Sequence, residues 1–262
     1  MTDQGGPSME YGLIGEKLGH SYSKIIHEKL ADYSYELTPL TREEFHSFMQ
    51  AHSFRGINVT IPYKKEVIPY LDQMDKAARA IGAVNTIVQR NGQLWGYNTD
   101  CPGFLYMLRH TGVSAAGKKV LVLGTGGGAQ AILAALRMEG ADPILSVSRS
   151  GKDGAITYEE CTRLHTDAQI IVNTTPVGMY PHMDASPLDL TPFTACEAVL
   201  DIVYNPAETR LTAQAKALGM KAATGLSMLV AQAKYACELF TGQTLEDSLI
   251  NTITEELQHE FS

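Results

Sequence analysis

Segments with strand-like spacing of hydrophobic residues alternate with segments of helical spacing along the first hundred residues of the chain. Apolar or alternating runs predict three strands, at residues 11–15, 34–40 and 56–61. Helical spacing separates these strands at residues 23–33 and 41–52, and further helical stretches run from residue 65 to Gly82. Asn91-Gly92, between two apolar runs, predicts a hairpin. This rhythm indicates an α/β fold.

Continuous apolar runs, typical of parallel strands buried on both faces, dominate the middle of the chain. They predict strands at residues 120–123, 143–150, 168–179, 198–206 and 220–225. Helical patterns lie between and after them, including TRLTAQAKALG, which ends at Gly219, and LSMLVAQAKYACELF near the C-terminus. An open parallel sheet places its ligand at the carboxyl ends of such strands.

A glycine-rich turn joins the first of these strands to a helix that ends at Gly140. Gly124, Gly126 and Ala129 fit G-x-G-x-x-A, and the turn also holds Gly127 and Gly128. Such a turn lets backbone amides and a helix N-terminus approach a pyrophosphate. Glycines also make ordinary turns. Here, however, a strand precedes the turn, and a helix and then a second strand follow it at the usual spacing, which together favour a dinucleotide site.

The end of the next strand distinguishes between two cofactors. A protein that binds NAD usually places an acid there for the ribose hydroxyl, whereas this chain has Ser148, Arg149 and Ser150, with Lys152 close behind. A cation and two hydroxyls suit a 2′-phosphate, so the pattern favours NADP. The alternative is a solvated arginine at a strand end.

Other polar residues also collect where strands end. Thr174, Thr175 and the loop to Met179 are predicted to border the nicotinamide, although a plain strand-to-loop exit explains each residue equally well. In the first hundred residues, GINVTIPYKK places an amide, a hydroxyl and an ammonium group at the end of one strand. The whole polar set suits a small molecule with several hydroxyls and one carboxylate: Ser21, Ser23, Asn58, Thr60, Lys64, Asn85 and Asp100.

Composition excludes several classes of partner. The net charge of −8 argues against nucleic acid or an anionic membrane, and no apolar run approaches the length of a membrane span. Four widely spaced cysteines without a CxxC pair indicate reduced thiols in the cytoplasm, and no zinc or other metal pattern is present. The polar opening MTDQGGPSM predicts a disordered leader, with structure from Tyr11.

These motifs, in order, resemble those of the shikimate and quinate dehydrogenase family. The resemblance covers nearly the whole chain from Tyr11 and rests on GHSYS, GINVTIPYK, GAVNT, GYNTD, LGTGGGAQA, NTTPVGM, DIVYNPAETRL and TGLSMLVAQA. It implies NADP-dependent, reversible reduction of 3-dehydroshikimate to shikimate, in aromatic amino-acid biosynthesis. It also implies an α/β substrate domain (residues 1–100, completed by 226–262) facing a Rossmann-type NADP domain (101–225) across a cleft.

The resemblance assigns roles to individual residues. It implies that Lys64 and Asp100 form the catalytic pair, that Gly225 lies near the nicotinamide, and that Arg149 binds the 2′-phosphate. The residues implied for substrate binding are Ser21, Ser23, Thr60, Asn85, Tyr204 and Gln232. Which of Lys64 and Asp100 carries the proton stays open, because the two can titrate as a unit.

Two positions depart from the family pattern. Lys24 replaces a proline, where a cation beside the carboxylate pocket could alter acid binding, and Cys101-Pro102 follows Asp100. We interpret Cys101 as a packed helix-start residue, because no histidine lies nearby in sequence to activate it. We interpret the histidines as surface or capping residues, including His27, and His20 as part of the loop that positions Ser21.

Two other functions stay open, and so does the oligomeric state, with a homodimer as one outcome. The first is a relative that uses quinate or NAD with the same pair of catalytic residues. The second is a catalytically silent NADP-sensing module. The intact Lys64 and Asp100 argue against silence, and Arg149 argues against strict use of NAD.

Overall fold

The computed structural model describes residues 9–19 and 21–260, which form two compact units. The first unit contains the described residues up to Thr99 together with Ala233–Leu249. The second contains Asp100–Gln232 and the described residues from Ile250 onward. No helix in these ranges is long and apolar enough to cross a membrane.

The first unit is built on a six-stranded mixed sheet with the order β2-β1-β3-β5-β6-β4. Its strands are β1 (Tyr11–Gly15), β2 (Tyr35–Pro39), β3 (Gly56–Val59), β4 (Gln73–Met74), β5 (Thr86–Arg90) and β6 (Gln93–Tyr97). Its helices are α1 (Ser23–Leu30), α2 (Arg42–Ala51), α3 (Lys76–Ile81) and a short 3₁₀ turn, Ile68–Tyr70. Strands β2, β1 and β3 are parallel, whereas β5 pairs antiparallel with both β3 and β6.

The structure confirms the predicted hairpin. Asn91 and Gly92 both adopt positive φ angles, 52° and 77°, as a type I′ turn requires. β1 begins at Tyr11 as predicted, but Met9, assigned to the disordered leader, is buried in the core of this unit. The rest of the leader, residues 1–8, lies outside the described residues, as does His20.

The predicted helical stretch between residue 65 and Gly82 is only partly helical. Asp72 and Asp75 donate backbone N–H bonds to Leu94 and Gly96, which draws the chain between them into the short strand β4 beside β6. The carboxylate of Asp75 then accepts bonds from the amides of Ala77 and Ala78 and caps α3. The helix therefore starts at this cap.

The second unit is a six-stranded parallel sheet covered by helices. Its strands are β7 (Val120–Leu123), β8 (Ile144–Ser148), β9 (Ile156–Thr157), β10 (Ile170–Asn173), β11 (Ala198–Asp201) and β12 (Lys221–Thr224). Its helices are α4 (Asp100–His110), α5 (Gly127–Met138), α6 (Tyr158–Leu164), α7 (Arg210–Ala217), the first part of α8 (Leu226–Thr241) and most of α9 (Ser248–Glu260). The order β9-β8-β7-β10-β11-β12 is that of the dinucleotide-binding fold, with its reversal between β7 and β10.

The C-terminal helices are shared between the two units. Ala236 and Phe240 of α8 pack with Tyr11 and Val88 in the core of the first unit, whereas α9 from Ile250 onward belongs to the second.

His27 is not the surface or capping residue that the sequence analysis assumed. Its side chain is fully buried and its ring stacks on Tyr35, with the centroids 4.0 Å apart and the planes 7° apart. Nδ1 lies 2.7 Å from the hydroxyl of Tyr33. Burial lowers the pKa of His27 to about 3, and the side chain of Asn58 opposes this shift only in part.

Candidate active site

Several polar residues of the first unit follow or precede strands at one edge of its sheet. β1 and β3 are parallel and end at this edge, and β5 starts there because it is antiparallel to β3. The residues that lie along the chain next to these strand ends are Ser21 and Ser23 after β1, Thr60 and Lys64 after β3, and Asn85 before β5. The topology thus collects residues that are far apart in the sequence.

The two serines form a short local arrangement. Ser21 Oγ donates to Ser23 Oγ at 3.1 Å, and the backbone N–H of Ser23 donates to Ser21 Oγ at 3.3 Å. Ser23 is the first residue of α1 and is buried. Thr60 is half-buried, and its backbone N–H donates to the carbonyl of Ile14 at 2.9 Å. The serine hydroxyls and Thr60 thus follow two adjacent strands.

Lys24 does not add an isolated cation to this edge. Its ammonium group bonds to the carboxylate of Glu28, one turn along α1, and donates to the backbone carbonyl of Tyr35 at 2.9 Å. The charge is therefore already balanced by α1. We expect Lys24 to have little direct effect on an acid bound at the serines.

A rigid turn carries Lys64. Tyr63 beside it is fully buried, stacks on Phe45 at 4.2 Å and donates its hydroxyl to the carbonyl of Leu40 at 2.6 Å. The carbonyl of Lys64 accepts a bond from the amide of Val84 at 2.8 Å. The backbone of this turn is thus held on two sides, and the side chain of Lys64 remains partly exposed.

The strand before this turn differs from the sequence expectation. β3 ends at Val59, and all four of its residues are buried, because parallel β1 and antiparallel β5 flank it and helices cover the sheet. Ile61, predicted as part of the apolar face, is 71% exposed beyond the strand. Asn58, predicted as a ligand-facing amide, is buried and bonded within the unit.

The amide of Asn85 is held by a buried polar cluster. Its Oδ1 accepts bonds from the Thr99 backbone N–H at 2.7 Å and from Thr86 Oγ1 at 3.1 Å, and its Nδ2 donates to Thr99 Oγ1 at 3.0 Å. Asn85 as a whole is only 3% exposed. Its orientation is therefore determined by the fold.

Three predicted residues of the second unit lie on or near its helices. Asp100 is the first residue of α4 and is half-buried. Gln232 lies on α8 and donates to the carbonyl of Leu229 at 3.1 Å, while Tyr204 is half-buried in the loop after β11. Cys101 is buried, with its sulfur 3.9 Å from that of Met138, which agrees with a packed helix-start residue.

The glycine turn after β7 fits a dinucleotide. Gly124 has φ +106°, and a Cβ there would lie 2.7 Å from Thr174 Oγ1, so the close approach of β7 and β10 requires glycine. Gly126 caps α5, and Gly127, Gly128 and Ala129 form its first turn. A Cβ at Gly126 or Gly127 would meet no atom within 4 Å, so this helix N-terminus is open to a pyrophosphate.

The turn after β8 is exposed and mainly basic. Ser148 Oγ accepts a bond from the amide of Gly151 at 3.1 Å, and this bond shapes the turn. Arg149, Ser150 and Lys152 are exposed, and the segment also contains one acid, Asp153. Burial raises the pKa of Tyr158 on α6, and the guanidinium of Arg149 opposes part of that rise, which places the cation near this phenol.

The loops after β10 and β12 leave less space around the predicted residues than the turns after β7 and β8. Thr174 Oγ1 donates to the carbonyl of Leu123 at 2.7 Å, a bond that fits the alternative of a plain strand-to-loop exit. A Cβ at Gly225 would lie 2.1 Å from the carbonyl oxygen of Ile202, so only glycine fits there. Contact of either residue with a nicotinamide stays a prediction.

A buried carboxylate that was not predicted from the sequence organises the carboxyl edge of the second sheet. Asp201, at the end of β11, accepts bonds from Asn173 Nδ2 at 2.9 Å, Val203 N at 3.0 Å and Thr209 Oγ1 at 2.8 Å. Burial raises its pKa, although these bonds oppose the rise. The signal was present, since Asn173 and Asp201 are polar residues at the ends of two apolar strands.

Comparisons with known proteins match this architecture over most of its length. A family model, the shikimate dehydrogenase substrate binding domain, matches residues 13–87. The shikimate dehydrogenase (NADP(+)) of Clostridium perfringens strain SM101 is 40% identical, covering 96% of this chain and 99% of the relative.

Solved structures give the same picture. A chorismate mutase/shikimate 5-dehydrogenase fusion protein from Clostridium acetobutylicum is 35% identical with a TM-score of 0.90, covering 97% of this chain and 98% of that one. Shikimate 5-dehydrogenase from Thermus thermophilus, solved with NADP(H) and shikimate, is 32% identical with a TM-score of 0.83, covering 95% and 99%.

Proposed function

Because the chain belongs to the shikimate dehydrogenase family, we propose that it catalyses the NADP-dependent, reversible reduction of 3-dehydroshikimate to shikimate. The observation that carries the proposal is the set of hydroxyl, amide and ammonium groups at one edge of the first sheet, in a chain aligned with such enzymes over nearly its full length. The substrate has the hydroxyls and the single carboxylate that this set suits.

Ser21, Ser23 and Thr60 supply neutral hydroxyls for the substrate carboxylate, and Asn85 supplies an amide for a ring hydroxyl. The short distance between the two serine hydroxyls supports a joint role on one carboxylate group. Tyr204 and Gln232 complete the substrate contacts in this proposal.

Lys64 and Asp100 handle the proton of the reaction. In reduction, the carbonyl oxygen needs a proton donor, and an ammonium group can serve. In oxidation, the hydroxyl proton passes to the same pair, either to the neutral amine of Lys64 or to the carboxylate of Asp100, because the two can titrate as a unit. NADP, when bound, accepts or supplies the hydride. In the described part of the chain no group of three metal-ligating side chains is brought together.

The second unit would hold the cofactor. The open amides at Gly126 and Gly127 suit the pyrophosphate, and half-buried Ser148 with the exposed Arg149, Ser150 and Lys152 suits the 2′-phosphate. Thr174 and Gly225 would border the nicotinamide at the β7–β10 reversal and beyond β12.

A steady-state assay of shikimate and quinate, each with NADP and with NAD, tests the whole proposal. We expect the highest kcat/KM for shikimate with NADP. Higher values for quinate or for NAD would favour the related dehydrogenase activity, and no turnover with any pair would favour a silent NADP-sensing module.

We expect Arg149→Ala to raise KM for NADP roughly 10- to 150-fold, because one charge-assisted contact is worth about 1.5–3 kcal/mol. The weak NAD activity should stay nearly unchanged. The measurement is kcat/KM with each cofactor at fixed shikimate and low salt, where charge contacts are least screened. Arg149→Asp should reduce NADP use further.

Arg137→Ala is the matched control for this variant. Arg137 is also exposed, but it lies in the last turn of α5, which runs away from the carboxyl edge of the sheet. The control should leave KM for NADP unchanged. If Arg149→Ala weakens NADP and NAD equally, Arg149 does not discriminate between them.

We also propose a cytoplasmic location and a homodimer. All four cysteines are free and buried, which supports a reducing compartment. Cell fractionation tests the location, and sedimentation equilibrium tests the dimer.

A further inference from the structure

We infer that Tyr35 is a positioning residue for substrate binding, because it orients the amide of Asn85 through Asn58. The inference rests on the proposed role of Asn85 as a substrate-binding residue. Tyr35 lies on β2, two strands away from β3, and its side chain is fully buried. It acts through other residues and does not itself contact substrate in this scheme.

The first step is the bond between Tyr35 and Asn58. The tyrosine hydroxyl donates to Asn58 Oδ1 at 2.7 Å. A phenol proton given to this atom identifies it as the amide oxygen, so the NH₂ group must point the other way. The stack of Tyr35 on His27 holds the phenol ring in place.

The second step is the contact of Asn58 with the segment that carries Asn85. Asn58 Nδ2 donates to the backbone carbonyl of Asn85 at 3.2 Å and to Thr86 Oγ1 at 3.0 Å. Thr86 Oγ1 accepts this bond and donates to Asn85 Oδ1 at 3.1 Å, and Thr99 Oγ1 lies 3.3 Å from the same hydroxyl. Tyr35 is thus linked to the amide of Asn85 through a continuous chain of buried hydrogen bonds.

The result is an Asn85 side chain with a defined polarity. Its Oδ1 also accepts the backbone N–H of Thr99 at 2.7 Å, so the oxygen faces buried donors. The NH₂ group, which donates to Thr99 Oγ1 at 3.0 Å, is the donor end of the amide and suits an acceptor such as a hydroxyl oxygen. A flipped amide would turn this NH₂ group toward the backbone N–H of Thr99 and lose the shortest of these bonds.

The test compares Tyr35→Phe with Tyr70→Phe. Both tyrosines belong to the first unit, and each change removes one hydroxyl, but Tyr35 donates to Asn58 whereas the hydroxyl of Tyr70 bonds to Nδ1 of His46 on α2. Thr86→Val is a second variant, which breaks the same chain one bond nearer to Asn85 with nearly unchanged shape.

For Tyr35→Phe and Thr86→Val we expect KM for shikimate to rise roughly tenfold, with kcat changed less than about threefold and KM for NADP unchanged. The ¹⁵N side-chain amide signals of Asn85 should shift or broaden in both variants. Tyr70→Phe should change neither the KM nor these signals, whatever it does to the melting temperature.

Asn85→Ala separates this inference from the proposed function. If Asn85→Ala raises KM for shikimate but Tyr35→Phe behaves like Tyr70→Phe, the positioning role is overturned and the binding role stands. If Asn85→Ala leaves KM for shikimate unchanged, the binding role of Asn85 fails and the inference fails with it. Unchanged amide signals in Tyr35→Phe would overturn the positioning role independently of any activity.

Discussion

Replacing Lys64 with alanine is expected to lower kcat for shikimate oxidation by roughly 10²–10⁴-fold, as expected for loss of a general acid–base, with little change in KM for shikimate. The physical reason is that the reacting oxygen must exchange a proton as the hydride moves. The turn that carries Lys64 is anchored by buried Tyr63 and by the bond from Val84, so the backbone should survive the change.

Lys65→Ala is the control, since it removes the same charge from the adjacent, exposed position. It should leave kcat close to that of the wild type. A rise in KM with kcat intact for Lys64→Ala would mean that Lys64 only binds substrate. Asp100→Asn, which keeps the shape and removes the charge, should also lower kcat strongly, and near-normal turnover would remove Asp100 from the mechanism.

Mild acid is expected to destabilise the first unit through His27. An unfolded histidine binds a proton below pH 6.5, whereas the pKa of buried His27 is lowered to about 3. Between these values the unfolded state binds more protons than the folded state, so this contribution to stability is present above pH 6.5 and is lost as the pH falls. The loss is about 2 kcal/mol by pH 5 and about 4 kcal/mol by pH 3.

Denaturant unfolding of the wild type and of His27→Phe, at pH 7.5 and pH 5, measures this effect. Trp95, the single tryptophan, lies on β6, so its fluorescence reports on the first unit. Phenylalanine keeps an aromatic ring on Tyr35 but does not titrate. The wild type should therefore lose about 2 kcal/mol more than His27→Phe between the two pH values.

His182→Gln, at an exposed histidine of the second unit, is the control and should follow the wild type. Carboxylates elsewhere contribute equally to all three proteins and cancel in the comparison. Equal losses in wild type and His27→Phe would show that His27 takes up its proton in the folded state without cost.

The parts of the fold that depend on neighbouring residues in the sequence could be predicted from the sequence. Asn91-Gly92 defines its hairpin because both residues tolerate positive φ. The glycine turn after β7 could be predicted for the same reason, because Gly124 adopts a φ of +106° and lies too close to Thr174 for a side chain. The apolar runs of the second unit are parallel strands because helices cover both faces of such a sheet.

The sequence also identified most of the residues placed at the two carboxyl edges. Lys64, Asn85 and Arg149 stand where strands begin or end, and strand ends are where an α/β fold exposes side chains to a ligand. Their assignment to substrate or cofactor came from a family resemblance over the whole chain, and their roles stay predictions until the variants are measured.

Only the tertiary structure determined which polar side chains are buried and bonded inside the protein. Asn58 and His27 look like ligand-facing or surface residues in the sequence, yet both are buried because β3 lies between two strands and α1 packs on Tyr35. The donors and acceptors that satisfy Asn58 and Asp201 come from positions up to 28 residues away. Hydrogen-bond partners at that separation depend on strand order, and strand order is determined by the packing of the whole sheet.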